Sequence, residues 1–419
     1  MNISQYIGRL LRSDYILHFL NAFFLKGIAF LLLPYYTHSL SIQDYGYLDL
    51  ITTTSGLSDI LFSLGLIQYF FIDFLHHSTR EDKKKLTDRL ISQYLVIGGS
   101  LYFIFMLLNI GFPGIIGINL PFYYLGLALM TSFVNFFQNM LITALRLRLE
   151  SKKLLVLQVS IGLFNALFII LLITYVKKDI ICILLPAFIT SIVVLFLGRR
   201  TFQRIFNSKF SFNFSFKDSQ EILMHSLPFV PNQLSLWSIN NLNRFILVTY
   251  TSTAEVGIFG MASKFGNLFD PLIIQPFINA YTPKALLALH ENKFKTIRPI
   301  YYLIALIVFI GLSVLLKFVL FYIIHNEFSE GLNLLPIFAM SSFIFLLIQI
   351  YSVPLIFYKM VREMLIGVFC GGVSTLILNF VFIPIYGSFG ASVSSLGGNL
   401  IWLLVVFYFS AKKSKNYEH

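Results

Sequence analysis

The chain has 419 residues, of which 57% are hydrophobic and only 12% charged, with a mean hydropathy of +0.79. A water-soluble fold has no means of covering so much apolar surface, so the composition excludes a soluble domain and puts the chain in a bilayer. The formal charge of +12 does not make it a nucleic-acid binder, because the basic residues fall in short clusters between apolar runs and form no continuous stripe.

Crossing about 30 Å of hydrocarbon takes about 20 largely apolar residues in a helix. By that rule the chain divides into twelve spans, at 15–35, 46–75, 91–111, 120–145, 154–176, 180–198, 222–249, 254–281, 299–322, 332–357, 364–385 and 388–410. All should be helices, since lipid offers the backbone no hydrogen-bond partners and the runs are too long and too little alternating for barrel strands. The first run exceeds a signal-peptide core and lacks a small-residue cleavage site, so it is expected to be retained. Cys182 and Cys370 both lie inside apolar runs and suggest neither a disulfide framework nor a metal site. No cofactor motif is present.

Orientation follows from where Lys and Arg fall. The amino terminus, every second loop and the carboxyl terminus hold 25 of the 31 basic residues, among them Lys83, Lys84 and Lys85, Arg146 and Arg148, Arg199 and Arg200, Lys284 and Lys295, and Lys412 and Lys413. The alternate loops hold only Lys177 and Lys178, with Lys317 near a span end. Both termini are therefore expected in the cytoplasm. The polar stretch 199–221 at mid-chain reads as a linker, and its alternating Phe and basic residues suit a segment lying on headgroups as well as a loose basic loop.

The chain also repeats itself. A shift of 211 lays Ser41 on Ser252, Gly46 on Gly257, Leu57 on Leu268, Asp59 on Asp270 and Leu61 on Leu272, with Asp44 on Glu255. A shift of 214 lays Arg148 on Arg362, Ser160 on Ser374, Asn165 on Asn379 and Phe168–Ile169 on Phe382–Ile383. Both shifts are close to half the chain length, which predicts two similar halves, 1–205 and 206–419. Six spans per half is an even number, so the halves should share one orientation and be related by an axis along the membrane normal.

Several polar residues interrupt the apolar runs. In the seventh span Gln233, Trp237, Asn240 and Arg244 recur at steps of four, three and four and share one helical face, with Pro228 and Pro231 near its start. Arg244 stands about five residues from the span end, where snorkelling to the headgroups competes with a cavity-facing role. Lys26 lies mid-span, where an unpaired cation costs at least about 2.5 kcal/mol, and is expected to face a cavity. Asp49, Thr52, Thr53, Gly56, Asp59 and Ser63 share one side of the second span, and Lys264, Asn267 and Asp270 follow at steps of three in the eighth. For Asp59 and Asp270, which the repeat superposes, a helix–helix salt bridge with Lys26 or Lys264 and a binding role are both open. Gly390, Ser394 and Gly398, at four-residue spacing, form a seam for close helix packing.

Three segments resemble a known family: LLLPYYTHSLSIQDYGYLDLITT at 31–53, EVGIFGMASKFGNL at 255–268, and NFVFIPIYGSFGASVSSL at 379–396 with its Pro-x-Tyr-Gly and Gly-Ala turn. The chain is similar to the polysaccharide flippases of the O-antigen and capsule (Wzx-like) type, relatives of the multidrug and toxic compound extrusion transporters and the lipid II flippases. It departs from them in the second span, where LGLIQYFFIDF carries Gln68 and Asp73, and at Asn243-Arg244, where the family often has Asp-Arg. The resemblance implies an all-α, MATE-like membrane transporter of two six-helix lobes. It would move undecaprenyl-pyrophosphate-linked oligosaccharide repeat units outward across the bacterial inner membrane by alternating access. It implies no enzymatic activity and no cofactor, a coupling proton or sodium ion, and a polysaccharide polymerase and chain-length regulator as partners. Lys26, Arg244 and Lys264, with Gln233 and Asn240, would meet the anionic cargo, and Asp59 and Asp270 would take part in ion coupling. The alternatives are multidrug extrusion, lipid II flipping, which is similar to a fourteen-span design, and a membrane glycosyltransferase or ligase. For the last, the outer loops are short and gather no catalytic constellation.

Overall fold

The computed structural model describes residues 3–77, 79–111, 121–176, 178–206, 211–291 and 297–415. Lys177, Lys209, Lys293 and Lys295, counted among the loop charges, lie outside that set. The described residues are almost entirely helical and contain no strand, as a chain without water to satisfy its backbone requires. In order the helices are α1 (Ile3–Ser39), α2 (Ile42–Ser63), α3 (Leu66–His76), α4 (Arg80–Gln93), α5 (Gly99–Gly111), α6 (Phe122–Leu147), α7 (Ser151–Tyr175) and α8 (Ile181–Phe206). They continue as α9 (Phe216–Ser226), α10 (Phe229–Asn241), α11 (Asn243–Tyr250), α12 (Thr253–Gly266), α13 (Gln275–His290), α14 (Pro299–Phe321), α15 (Leu335–Phe357) and α16 (Val361–Lys415).

Eight described stretches are long and apolar enough to cross a membrane, or nine if the pair α2 and α3, bent by 47°, is one span. The bend falls where Leu64 (φ 52) and Gly65 (φ 73) turn left-handed. Gly65 is required there twice over, by its φ and because a Cβ would overlap the Ser226 carbonyl. The 55 residues of α16 would rise about 80 Å, far more than one crossing needs, and the helix breaks at Gly387 (φ 55, ψ −132) between the two expected last spans. Helices α10 to α13 are each too short to cross alone, and the stretches expected to be single spans are broken, 222–249 into the end of α9, α10 and α11, and 254–281 into α12 and α13.

The chain forms two compact units, one of Met1–Ile28 with Ile51–Leu234, the other of Ala29–Leu50 with Ser235–His419. In the first unit α6 is central and packs on α3, α5, α7 and α8. Tyr94, in a π turn at Tyr94–Gly98 between α4 and α5, stacks on Phe136 at 3.6 Å between ring centroids and donates its hydroxyl to the Phe133 carbonyl at 3.2 Å. Part of the mid-chain linker is seated on α4. Ser211 Oγ donates to Asp88 Oδ2 (2.7 Å), Ser92 Oγ accepts from the Asn213 amide (2.9 Å), and Arg89 pairs with Asp218 at 3.3 Å.

In the second unit α15 is central and packs on α12, α13, α14 and α16. Trp402 of α16 joins Ile239, Ile344, Ile348 and Val406 in one apolar cluster, while Phe269, Phe309 and Phe343 anchor a second. The Gly390–Ser394–Gly398 spacing is architectural. A Cβ on Gly398 would overlap Thr375 Oγ1 and come within 2.9 Å of the Gly371 carbonyl, and Ser394 is fully buried.

Candidate functional site

The second unit holds a buried carboxylate under two cations. Its construction begins at two matching helix starts. Ser41 Oγ accepts from the Asp44 amide at 3.1 Å and opens α2; Ser252 Oγ accepts from the Glu255 amide at 3.3 Å and opens α12. These serines are the residues that the 211-residue shift superposes, so both helices start in the same register. Five residues on from the caps, Gly46 and Gly257 meet each other. A Cβ on Gly46 would overlap the Thr253 carbonyl and lie 3.1 Å from the Gly257 amide. One on Gly257 would overlap the Ile42 carbonyl and lie 3.2 Å from the Gly46 amide. Thr253 and Ile42 are themselves equivalent at that shift. A reciprocal contact of this kind is what a two-fold relation between repeats produces.

One helical turn further the symmetry breaks, and the site arises from the break. Asp49 of α2 is equivalent to Gly260 of α12, and its carboxylate occupies the space a Gly260 side chain would take. With Asp49 only 3% exposed, it needs a partner. Arg244, at 5%, donates from Nε to Asp49 Oδ2 at 2.5 Å. Its other donors reach the Asn240 carbonyl (2.6 Å), Asn243 Oδ1 (3.4 Å) and Ser263 Oγ (2.9 Å), and its guanidinium lies 5.2 Å from the Phe259 ring centroid. Lys264 Nζ stands 3.7 Å from Asp49 Oδ1 and 4.6 Å from the Tyr45 ring centroid, with 41% of its side chain exposed. The trio carries a net charge of +1, and only the lysine has an open side.

The residues singled out from sequence are distributed unevenly. Arg244 does not snorkel; it is buried against Asp49. Asn240 supplies its carbonyl to Arg244, while its exposed side chain donates to the Leu236 carbonyl at 3.0 Å. Asp270 opens a π turn at Asp270–Ile274, is half-buried, and accepts from Gln275 Nε2 at 3.2 Å. In the first unit Lys26 is exposed on α1 and has no ion-pair partner among the described residues. There too, Asp59 accepts hydrogen bonds from Ser132 and from Tyr102, the latter at 3.3 Å. Gln233 accepts from Gln68 Nε2 at 3.1 Å, and Asp59 and Gln233 line one cavity of about 320 Å³. Among the described residues no group of three or more His, Cys, Asp or Glu side chains is placed to hold a metal ion.

The residue that sequence reasoning left out of the site is Asp49. Its polar neighbours on the second span were visible, but what marks it is that its repeat counterpart is glycine, a sign only when the two helices are known to touch.

The fold is that of known transporters. The chain superposes on the lipid II flippase MurJ in an inward closed conformation with a TM-score of 0.68 at 14% identity, covering 96% of this chain and 86% of that one. It matches an inward-facing multidrug resistance MATE family transporter of the MOP superfamily with a TM-score of 0.61 at 18% identity, covering 96% and 94% of the two chains. An outward-facing MATE family transporter gives 0.59 at 14% identity, with 97% of each chain covered. No curated protein sequence matches the chain. The structural likenesses establish a multi-pass helical membrane protein of the MATE and lipid II flippase fold. A family model for polysaccharide biosynthesis protein matches residues 11–286, which take in both repeat-related helix starts, the Gly46–Gly257 crossing and the whole Asp49–Arg244–Lys264 cluster, and the chain belongs to that family.

Proposed function

We propose that the protein is a flippase that carries undecaprenyl-pyrophosphate-linked oligosaccharide repeat units from the cytoplasmic to the outer leaflet of the bacterial inner membrane. The observation that carries this reading is a net-positive cluster, with one open cation, in the apolar interior of a chain of the polysaccharide biosynthesis family. A buried charge needs a partner, and Asp49 satisfies Arg244 more fully than Lys264. A diphosphate or acidic sugar would reach Lys264 first and add charge-assisted hydrogen bonds there. Lys26, exposed in mid-span, gives the cargo a second cation in this proposal, and the polar face of Gln233 and Asn240 serves the saccharide. Asp59 and Asp270 are proposed to couple movement to a proton or sodium ion. Twelve spans in two six-helix lobes, 1–205 and 206–419, with both termini cytoplasmic, complete the proposal, as do a polymerase and chain-length regulator acting on the product. No chemical step on the cargo is required, so the protein is read as a transporter and not an enzyme. Multidrug extrusion is less well supported, since the family model that matches the chain is that of polysaccharide biosynthesis proteins and Asp49 is paired with two cations.

The test is surface polysaccharide measured beside membrane abundance. Lys26→Ala and Lys264→Ala are expected to leave abundance near normal and to abolish surface polysaccharide. Full activity in a variant carrying both changes with Arg244→Ala would remove the cationic pathway from the account.

A further inference from the structure

The cavity in the first unit has a chemistry that the Asp49 cluster lacks. Its volume is about 320 Å³, and its polar lining includes Gln68, Asn139, Gln158 and Gln233, with Asp59 at one side and Arg146 in the last turn of α6. The amides come from α3, α6, α7 and α10, so four helices that are distant in sequence each contribute one to the same space. Ile60, Ile67, Ile142 and Phe136 supply an apolar wall, and Phe136 is backed by the stacked Tyr94 ring. The amides are incompletely used. Gln68 Nε2 donates to Gln233 Oε1, yet Gln68 Oε1 and Gln233 Nε2, both buried, have no partner among the described residues. Asn21 Nδ2 donates to Gln158 Oε1 at 2.6 Å and so leaves the Gln158 amide donors for the cavity.

Unpartnered buried amide groups are costly unless a ligand completes them. The unused groups here are an acceptor and several donors side by side. A bare cation would use only the acceptors, and one ion fills a small part of this volume. An anion would use only donors, and the attraction of Arg146 is offset by Asp59 in the same lining. Hydroxyl groups both donate and accept, and a pyranose ring also presents C–H faces to an apolar wall. We infer that this cavity is a saccharide subsite, which receives one neutral or N-acylated pyranose of the cargo in the amide cluster of Gln68, Asn139, Gln158 and Gln233. The proposal rests on the flippase reading for the carrier to which that sugar is attached, and it adds that sugar recognition resides within the first unit, separate from the cationic cluster.

The experiment reads binding and not transport. In a Cys182→Ser/Cys370→Ser background, Ser63→Cys places a thiol on the cavity lining without touching the amide cluster. Its labelling rate in purified protein is measured with free N-acetylglucosamine, glucose or galactose, with inorganic pyrophosphate, and with sodium or potassium chloride. A single sugar of this size binds in the millimolar range, so tens of millimolar are used. At about four times Kd, labelling should slow about fivefold, with at least one pyranose effective and pyrophosphate and both salts without effect. Adding Gln68→Leu and Gln233→Leu should abolish the protection while leaving the unprotected labelling rate unchanged. Protection by pyrophosphate alone, by sodium alone or by no probe would each overturn the proposal. Sugar protection in a protein that fails to translocate the lipid-linked oligosaccharide would keep the subsite and reject the flippase reading, so the two failures are distinguishable.

Discussion

Arg244 and Lys264 share a carboxylate but differ in what their loss should do. Arg244 is buried with nearly every donor engaged, so Arg244→Ala strands Asp49 and should cost about 3–5 kcal/mol in folded stability. Adding Asp49→Asn should recover part of that loss, because the stranded charge disappears with its partner. Thermal unfolding in detergent checks both, and an Arg244→Ala protein as stable as the parent would refute the pairing. Lys264 is two-fifths exposed, and loss of such a pair costs about 1 kcal/mol or less. Lys264→Ala should therefore fold normally and fail in transport. Sequence made the polar face of each helix legible, since periodicity of 3.6 is all that requires. It did not show which carboxylate meets which cation. Asp49, with no charged counterpart in the other repeat, drew less notice than the matched pair Asp59 and Asp270, yet it is Asp49 that binds Arg244. Pairing is fixed by helix crossing, and that crossing depends on contacts between residues about 200 positions apart.

The crossing of α2 and α12 is an element-scale consequence of two glycines. Filling either with a side chain forces the helices apart, because the opposing atoms are backbone carbonyls that cannot swing away. Gly46→Val or Gly257→Val should lower stability by about 1–3 kcal/mol, as overpacking does. At Gly27 and Gly311, by contrast, a Cβ would meet nothing within 4 Å. Gly27→Ala and Gly311→Ala should be neutral or slightly stabilising, as expected of glycine in a helix interior. Equal effects at all four positions, measured by thermal unfolding, would rule out a tight crossing. The repeat register was legible because the Ser caps and the glycines recur at one shift. The breaks were not: 46–75 and 222–249 read as single spans, whereas the chain bends at Leu64–Gly65 and divides α10 from α11. Apolarity sets the span, but a left-handed Leu64 leaves no mark in hydropathy.

At the scale of the whole molecule, hydropathy carried the membrane assignment and the all-helical fold, while the likeness to the flippases was legible only in the three segments at 31–53, 255–268 and 379–396. The division into compact units is another matter. It cuts α1, α2 and α10 internally, and hydropathy is blind to which neighbours a helix packs on. The expected orientation can be checked with single cysteines in the Cys182→Ser/Cys370→Ser background. Lys178→Cys and Asn326→Cys, both at exposed positions, should react with an impermeant thiol reagent from outside. Lys85→Cys and Lys284→Cys should react only after the membrane is opened, and the reverse pattern would invert the topology. The central claim is tested most directly in vesicles containing the purified protein and an undecaprenyl-pyrophosphate-linked oligosaccharide, by following the fraction of that lipid exposed to an external saccharide-modifying reagent. Fast exchange between leaflets with the parent protein, slowed at least about tenfold by Lys264→Ala, is the predicted result; a rate no faster than in protein-free vesicles, or one that Lys264→Ala leaves unchanged, would contradict it.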